Sequence, residues 1–412
     1  FLNRLQNLDT PVKSVIIGMG AMGKGLYHQA NITPGIECLA IADLDIERCV
    51  NAAKIADREY KNVTTAEELA STINDGTLAI TSNGMLLADY NEVDVLIEAT
   101  SAIEEGAKYV IKALNNSVNV ILMNAEIDLA FGAYFMQVAK ENDVVCTSID
   151  GDQYGVIKRL MDEIELWGFE LVMAGNIKGF MDLSSNPTKI IPEADKRNLD
   201  YKMCVSYTDG TKMCIEMAIN ANQYGMRTHI PGMHGPKTSH VSEVLDVFNF
   251  DKIWKEKGKV PLVDYVLGSE PGGGIFVVGY NDHPYQKNMM SYYKMGNGPY
   301  YVFYRPMHLC HVEAMRTTIE AVLDKKVLLM PEKGFQTNVF AYAKTDLKAN
   351  TTLDGLGGYS CYGLIENCDP KVEPTGLPIL LAEDIVLKRD IMKDEKINLE
   401  DVEYNSKDYK FD

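Results

Sequence analysis

The sequence predicts an α/β protein whose N-terminal part contains a doubly wound parallel sheet. Two observations lead to this prediction. From residue 12 to about residue 150, short apolar runs alternate with helix-favouring stretches, which is typical of a parallel sheet covered by helices on both faces. The first of these runs, Val15 to Ile17, leads directly into a glycine-rich segment that ends at Gly23.

The glycine-rich segment predicts a dinucleotide site of the Rossmann type. Gly18, Gly20 and Gly23 follow the spacing G-x-G-x-x-G. The first glycine allows a tight turn, the second lets a pyrophosphate approach the backbone, and the third lets the helix pack on the strand. Backbone N–H groups near Ala21 and Met22 would then face the phosphates. The alternative is a glycine turn that binds no ligand.

Asp43 indicates which dinucleotide binds. It ends the second apolar strand, about 20 residues beyond the glycines, as the dinucleotide pattern requires. A carboxylate at this point accepts hydrogen bonds from a ribose diol and repels a 2′-phosphate. The sequence therefore favours NAD over NADP, although Arg48, one helical turn further on, is placed to bind a phosphate.

Three further polar residues each follow an apolar run directly: Thr100, Asn124 and Asp150. Ligands of open α/β sheets bind at the carboxyl ends of the strands. We therefore expect all three residues, together with Glu98, at the functional edge of the sheet, with Thr100 and Asn124 near the cofactor.

The composition excludes several classes of partner. The chain has 412 residues and a formal net charge of −18, which argues against nucleic acid and anionic membranes as partners. We expect no membrane span and no signal peptide. The eight cysteines are scattered without a C-x-x-C pair, which indicates free thiols in a reducing cytoplasm. The segment from His308 to His311 is either a metal site or ordinary helix.

The sequence predicts three domains: 1–152, a nucleotide-binding domain; 153–330, an α+β domain for substrate binding and oligomerisation; and 331–412, a small β-rich domain. A helix over 308–325 is expected to return to the first domain. The segment 203–222 is expected to begin as a strand and then become a helix.

Several blocks together resemble a known family: Asn124-Ala125-Glu126, Asp150-Gly151-Asp152-Gln153, Asp209-Gly210-Thr211-Lys212, Gly232-Met233-His234-Gly235-Pro236, Gly298-Pro299-Tyr300-Tyr301 and Arg305-Pro306-Met307-His308-Leu309. The chain resembles the predicted homoserine dehydrogenase-like proteins with a C-terminal SAF domain, a group that includes a 1-deoxy-D-xylulose 5-phosphate reductoisomerase-like enzyme. The resemblance implies an NAD(P)-dependent oxidoreductase and an SAF-like domain over 331–412.

One position departs from the relatives. Homoserine dehydrogenases and the main reductoisomerase family carry an Asn-Lys pair at the end of the fifth strand, where the lysine polarises or protonates the reacting carbonyl. This chain has Asn124-Ala125 instead. The departure disfavours homoserine chemistry and requires another proton donor.

Lysines are the candidates for that donor. Hydride transfer to a carbonyl leaves an alkoxide, which a nearby acid or cation must stabilise. Lys212 is the first choice, because Glu216 follows it at helical spacing and can hold its ammonium group. Lys178 is the second choice, and Asp209 belongs to the same block as Lys212. The alternative for each lysine is a solvated surface residue.

Asp150 and Asp152 form a candidate metal and substrate site. Two carboxylates two residues apart after a strand suit Mg²⁺ or Mn²⁺, which would chelate a hydroxyketone. The alternative is a helix cap without metal. A phosphate or carboxylate on the substrate would need cationic donors, and the candidates for this role are His234, Lys237, Arg305 and His308.

The leading hypothesis is an enzyme that uses NAD(P) to reduce or oxidise a small polyol, sugar or sugar phosphate, with or without skeletal isomerisation. A homoserine-type dehydrogenase is the second hypothesis. The third is a protein that binds NAD or carbohydrate without catalysis. By analogy with two-domain dehydrogenases, we expect a homo-oligomer.

Overall fold

The computed structural model describes residues 1–197, 199–369, 371–372 and 374–404. The chain divides into two compact units, each built from two segments. Unit 1 comprises Phe1–Gly155 and Leu309–Met330, and unit 2 comprises Val156–His308 and Pro331–Asp412. The end of the predicted C-terminal domain, 405–412, lies outside the described residues.

Unit 1 contains a parallel seven-stranded sheet in the order β3-β4-β2-β1-β5-β6-β7. Its strands are β1 Val12–Ile17, β2 Ile36–Ala42, β3 Tyr60–Asn62, β4 Leu78–Thr81, β5 Val95–Glu98, β6 Asn119–Leu122 and β7 Cys146–Ser148. Strands β2 to β4 lie on one side of β1 and strands β5 to β7 lie on the other, so the strand order reverses between β1 and β5. Sheets of this kind bind ligands at this switch point. The predicted α/β class and parallel sheet are confirmed.

The helices of unit 1 alternate with its strands. They are α1 Leu2–Gln6, α2 Ala21–Ile32, α3 Ile46–Ile55, α4 Ala66–Asn74, α5 Gly84–Ala88, α6 Ile103–Asn115 and α7 Ala125–Glu141. Apolar side chains bury both faces of the sheet: Ile16 belongs to one core, and Val15 to the other. This burial on both faces explains why the strands are continuous apolar runs.

Side-chain caps fix where several of these helices begin. Asp45, Thr65, Asn83 and Asn124 each accept a hydrogen bond from a backbone N–H in the first turn of the helix that follows. Each cap satisfies a donor that the helix leaves unpaired, and it stabilises the helix by about 1 kcal/mol. Asn124 therefore has a structural task as well as a place at the edge of the sheet.

Unit 2 is organised around a mixed four-stranded sheet in the order β11-β10-β8-β9. Helix α8 (Gln153–Leu166) leads into it, and the strands are β8 Glu170–Lys178, β9 Leu262–Leu267, β10 Ile275–Tyr280 and β11 Tyr300–Arg305. Strand β8 runs parallel to β9 and antiparallel to β10. The helices are α9 Ile191–Arg197, α10 Tyr201–Thr208, α11 Thr211–Tyr224, α12 Val244–Val247, α13 Phe250–Ile253 and α14 Pro284–Tyr292.

The expected strand at the start of 203–222 is wrong, because this stretch lies in helix α10. Its run of Tyr, Cys and Val favours a strand by propensity. Asp200 overrides that preference, since its carboxylate accepts a hydrogen bond of 2.9 Å from Met203 N and caps the helix. Cys204 and Val205 then pack into a small apolar core.

The segment expected to form one helix over 308–325 forms two, α15 Cys310–Glu313 and α16 Met315–Asp324. Both belong to unit 1. Met315 and Ile319 of α16 join the same apolar core as Ile16. Beyond α16, Leu329 O accepts a hydrogen bond of 3.1 Å from Ser148 N. This late segment of the chain therefore completes the sheet of unit 1.

The last part of unit 2 consists of short strands: β12 Thr337–Ala343, β13 Thr352–Asp354, β14 Cys361–Asn367, β15 Glu383–Leu387 and β16 Val402–Glu403. They pair antiparallel as β12-β14 and β13-β15-β16. Helix α11 is buried along its length, and Thr211 Oγ1 on it accepts a hydrogen bond of 2.8 Å from Gly363 N. Among the described residues, no helix combines the length and apolarity that a bilayer span needs.

Candidate functional site

The glycine-rich turn of unit 1 has the geometry of a dinucleotide cradle. Gly18 has φ +99°, and a Cβ there would lie 2.5 Å from the carbonyl of Ala99. A Cβ on Gly23 would lie 1.7 Å from Gly18 O, whereas Gly20, the N-cap of α2, faces open space. Two glycines are thus required by close backbone packing, and the third leaves room for a pyrophosphate at the helix N-terminus.

Asp43 lies beside this turn. Its Oδ2 accepts a hydrogen bond of 2.7 Å from Met19 N, and its Oδ1 accepts one of 2.9 Å from Asp45 N. Arg48, whose side chain is half-exposed, approaches Asp43 Oδ2 at 3.7 Å and Asp45 Oδ2 at 3.4 Å. The carboxylate is fixed where a ribose would bind, and the nearby cation is already paired with carboxylates.

Glu98, Thr100 and Asn124 lie where β5 and β6 end. Glu98 is fully buried, and its Oε1 accepts hydrogen bonds from Thr100 N, at 3.0 Å, and from Thr100 Oγ1. Burial raises the pKa of Glu98 to about 8, so the side chain is largely neutral at pH 7. Among the described residues, Glu98 Oε2 has no hydrogen-bond partner.

Asp150 and Asp152 are both buried at the end of β7. Asp150 Oδ1 accepts a hydrogen bond of 3.0 Å from Gly151 N, and Asp152 Oδ1 accepts one of 2.8 Å from Gln153 N. Cys310 Sγ also lies 3.8 Å from Asp152 Oδ1. Asp152 thus directly precedes α8 and bonds its first backbone N–H. The cap and the metal site both stay predictions, and the oxygen-rich pair would suit Mg²⁺ or Mn²⁺.

Lys178 ends strand β8 in unit 2. Its Nζ donates a hydrogen bond of 2.8 Å to Tyr207 O at the end of α10. Burial lowers the pKa of Lys178 below its ordinary value, while the negative charges of Glu216 and Asp209 raise it in part. Three of the four predicted catalytic residues, Lys178, Glu216 and Asp209, therefore interact electrostatically in the folded unit.

The fourth, Lys212, is buried on α11 with Glu216 one helical turn further on. Two ionisable side chains buried on one helix are uncommon unless they are paired or functional. Asp209 lies at the junction of α10 and α11, where its Oδ1 accepts a hydrogen bond of 2.9 Å from Thr211 N.

A second lysine reaches this junction from the C-terminal strands. Lys344 Nζ lies 2.9 Å from Asp209 Oδ2, and both side chains are almost completely buried. The same ammonium group donates hydrogen bonds to Ser185 O and Gly358 O, at 2.9 and 2.8 Å. Sequence analysis did not identify Lys344, because its partner is far away along the chain.

The four predicted anion-binding residues lie in two stretches of unit 2, before β9 and at the end of β11. His234 contacts Asp264, with Nδ1 3.0 Å from Oδ2. Lys237 is exposed and its backbone pairs with Leu267. Arg305 ends β11 and is half-buried, as is His308 three residues later. Their roles in substrate binding stay predictions.

Asp264 and His229 were also missed. A signal for Asp264 exists in the sequence, since it is the only charged residue of the apolar strand Leu262–Leu267. A charge in such a run is expensive unless it has partners. Nothing in the sequence around His229 indicates a functional residue, because only the folded conformation of the loop between the two histidines brings His229 close to His234.

Comparison with known proteins bears on this arrangement. Residues 151–314 match the model of a protein family described as "Oxidoreductase DRL, catalytic domain". The match covers Lys178, Asp209, Lys212 and Glu216. No curated protein has a sequence that matches this chain.

The solved structures to which this chain is similar include dehydrogenases and a reductoisomerase. The 1-deoxy-D-xylulose 5-phosphate reductoisomerase from Zymomonas mobilis, in complex with NADPH, is 13% identical, with 50% of this chain and 57% of that chain covered and a TM-score of 0.38. A "probable dehydrogenase" from Thermotoga maritima is 11% identical, with 77% and 90% covered and a TM-score of 0.43. The scyllo-inositol dehydrogenase from Lactobacillus casei, with NAD(H) and scyllo-inositol, is 16% identical, with 46% and 49% covered and a TM-score of 0.31.

The chain thus spans about half the length of two of these three structures. Residues 151–314 thus match the catalytic domain of an oxidoreductase family, and unit 1 carries the glycine-rich cradle.

Proposed function

We propose that this protein catalyses hydride transfer between NAD(H) and a small polyol, sugar or sugar phosphate, with Lys178 as the proton donor and acceptor. The observation that carries the proposal is the half-buried Lys178 at the end of β8, which lies inside the segment that matches an oxidoreductase family and interacts electrostatically with Glu216 and Asp209. A nicotinamide held by the turn from Gly18 to Gly23 supplies or accepts the hydride.

Lys178 suits this task because carbonyl reduction needs a proton near neutral pH. An ordinary lysine binds its proton too tightly to exchange it quickly at pH 7, and burial reduces that affinity. The negative charges of Asp209 and Glu216 oppose this lowering of the lysine's proton affinity. The ammonium form therefore persists and can also stabilise an alkoxide. Lys212, on the same helix as Glu216, is proposed as a second cation toward the substrate.

The cofactor preference belongs to the same proposal. Asp43 accepts hydrogen bonds from the backbone at the place where a ribose diol would bind, and it would repel a 2′-phosphate. Arg48 is paired with Asp43 and Asp45, which reduces its availability to a phosphate. We therefore expect NADH to bind more tightly than NADPH.

We propose that the reaction requires a metal ion only if the substrate is a phosphorylated hydroxyketone. Asp150 and Asp152 would hold Mg²⁺ or Mn²⁺, and the ion would polarise a hydroxyketone. An unphosphorylated polyol would need no such ion, so the dependence of the rate on Mg²⁺ separates the two substrate classes.

The first measurement is calorimetry of NADH and NADPH binding. It is followed by an activity screen of polyols, sugars, hydroxyketones and sugar phosphates, including 1-deoxy-D-xylulose 5-phosphate, with and without Mg²⁺. Turnover of homoserine alone would instead identify the homoserine-type dehydrogenase. Tight NADH binding without turnover of any substrate would identify a non-catalytic binding protein.

Lys178→Met then tests the proton donor. We expect kcat/KM to fall about 10²- to 10⁴-fold, the range for loss of a general acid or base, while NADH binding is unchanged. Lys178→Arg should not restore activity, because a guanidinium does not release its proton near neutral pH. Lys196→Met, at an exposed lysine of α9, is the control. Full activity in Lys178→Met would refute this role.

A further inference from the structure

A cluster of His229, His234 and Asp264 lies apart from Lys178. Asp264 pairs with Gly175 in the ladder between β8 and β9, and Lys178 is three residues beyond Gly175 on β8. Because side chains alternate between the faces of a sheet, Asp264 and Lys178 point to opposite faces. Phe248, from the core on the Asp264 face, contacts the ring of His234 at 5.9 Å between ring centroids.

The carboxylate of Asp264 is held in place by the backbone. Its side chain is only 1% exposed. Oδ1 accepts hydrogen bonds from His234 N, Gly235 N and Tyr265 N, at 3.0, 3.0 and 2.8 Å. Oδ2 remains directed at His234 Nδ1, 3.0 Å away. When the imidazole is neutral, the carboxylate therefore keeps its proton on Nδ1 and leaves a lone pair on Nε2.

That lone pair faces the second histidine. His234 Nε2 lies 3.2 Å from His229 Nδ1, and the ring centroids are 5.0 Å apart. Two ring nitrogens that bind one tetrahedral Zn²⁺, each at about 2.0–2.1 Å, are separated by about 3.3–3.4 Å. The two nitrogens are thus separated as metal ligands are. In the absence of metal a hydrogen bond joins them and the ring planes are 17° apart, so both rings must rotate about their side-chain bonds before their lone pairs converge on one ion.

We propose that His229 Nδ1 and His234 Nε2 bind a divalent transition-metal ion such as Zn²⁺, with Asp264 orienting His234 and water completing the coordination. Metal-binding histidines commonly donate their other N–H to a carboxylate, which fixes the ring and increases its basicity. The Asp264–His234 contact has this arrangement. Both histidines are exposed enough for an ion and its water ligands to enter.

Binding requires two proton movements. The His229 proton moves from Nδ1 to the other ring nitrogen, so that ring keeps its charge. Any proton on His234 Nε2 is released to solvent, so the affinity for Zn²⁺ falls as pH falls.

The ion would add a link to a loop that backbone hydrogen bonds already hold, such as the 2.8 Å bond from Gly232 N to Ile365 O. Between the two histidines the backbone passes through Gly232 and Met233, both with positive φ, of 74° and 71°. Such a conformation is unfavourable for methionine. A metal bridge from His229 to His234 would close this loop onto β9 and stabilise the folded state by mass action.

The test is calorimetric titration of the full chain with Zn²⁺, together with thermal unfolding. We expect one Zn²⁺ to bind and Tm to rise. In His229→Gln and in His234→Gln, the affinity for Zn²⁺ should fall at least about tenfold, or 1.4 kcal/mol, and the rise in Tm should be smaller. His283→Gln is the matched control, because His283 lies elsewhere in unit 2 and makes no side-chain cap bond to the helix that it precedes.

Co²⁺ absorption identifies the ligands. Coordination by imidazole and water gives visible bands without a thiolate charge-transfer band in the near ultraviolet. Absence of Zn²⁺ binding by the wild-type chain, a thiolate band, or unchanged affinity in either histidine variant would each overturn the proposal. None of these readouts depends on enzymatic activity, so failure of the proposed hydride transfer leaves this test intact.

Discussion

At the scale of single residues, Glu98 shows how burial changes a side chain's chemistry. It ends β5 with no exposed surface, and Thr100 supplies hydrogen bonds to only one of its oxygens. Desolvation disfavours the carboxylate more than Thr100 stabilises it, so the pKa rises. The edge of the sheet therefore carries a neutral acid, which can donate a hydrogen bond where a carboxylate can only accept one.

The raised pKa of Glu98 predicts a pH dependence of stability. The pKa is about 8 when folded and 4.5 ordinarily. Between these values the folded state binds more protons than the unfolded chain. The contribution of Glu98 to the free energy of unfolding is therefore complete below the pKa of the unfolded chain. It is lost as pH rises toward the pKa of the folded state, by about 1.4 kcal/mol per pH unit.

Glu98→Gln should remove this dependence, because an amide does not ionise. Urea unfolding at several values between about pH 5 and about pH 8 measures it. Burial also raises the pKa of Asp128 to about 7. Asp128 therefore lowers the free energy of unfolding as pH rises, equally in the wild type and in Glu98→Gln. The difference between the two slopes therefore reports Glu98 alone. Glu92→Gln, at an exposed site, should keep the wild-type slope; equal slopes in wild type and Glu98→Gln would contradict the raised pKa.

At the scale of elements, the junction of α10 and α11 depends on β12. Asp209 ends α10 and Lys344 follows β12, and their buried ion pair joins the two elements. Burial raises the pKa of Asp209, whereas Lys344 lowers it, and burial is the larger effect. The C-terminal strands thus help to set the charge beside Lys178.

Lys344→Met should lower the free energy of unfolding by about 3–5 kcal/mol, because it leaves Asp209 buried without its partner. The double variant Lys344→Met with Asp209→Asn should recover part of that loss, since both charges are then removed together. Chemical denaturation of the two single variants and the double variant measures the coupling. Additive losses would show that the ion pair contributes nothing.

How far the sequence predicts these elements depends on how local their signals are. The turn at Gly18 and the acid at Asp43 follow from spacing within one strand–helix–strand unit, so their positions were predictable. Helix α10 was not, because its cap at Asp200 competes with strand-favouring side chains. The pairs Lys344–Asp209 and His234–Asp264 join different elements, and nothing in either local sequence specifies the partner.

At the scale of the whole molecule, the chain is interleaved between its two units. Unit 2 takes the residues between Gly155 and Leu309, and again those after Met330. The three consecutive domains of the sequence analysis stay a prediction; in the division into two units, β12 to β16 belong to the same compact unit as α11. Asn222 on α11 illustrates the connection, because its Oδ1 accepts a hydrogen bond of 2.9 Å from Thr337 N.

A chain that ends at Met330 should therefore fail to form a stable unit 2. It would expose apolar side chains along α11, which β12 and β14 otherwise cover, and lose the Thr337–Asn222 and Gly363–Thr211 hydrogen bonds. We expect loss of soluble protein or of a cooperative thermal transition, measured against the full chain. A truncated chain with the full chain's Tm would contradict this assignment of the C-terminal strands.

The position of α16 has a consequence for synthesis on the ribosome. The strands of the parallel sheet are all translated by Ser148, yet Met315 and Ile319, which fill one of its cores, emerge only after the whole first segment of unit 2. At about 5–20 residues per second, residues 156–330 take roughly 10 to 35 s. During that interval the nascent sheet carries an uncovered apolar surface, so it is the stage at which a chaperone would have most to bind.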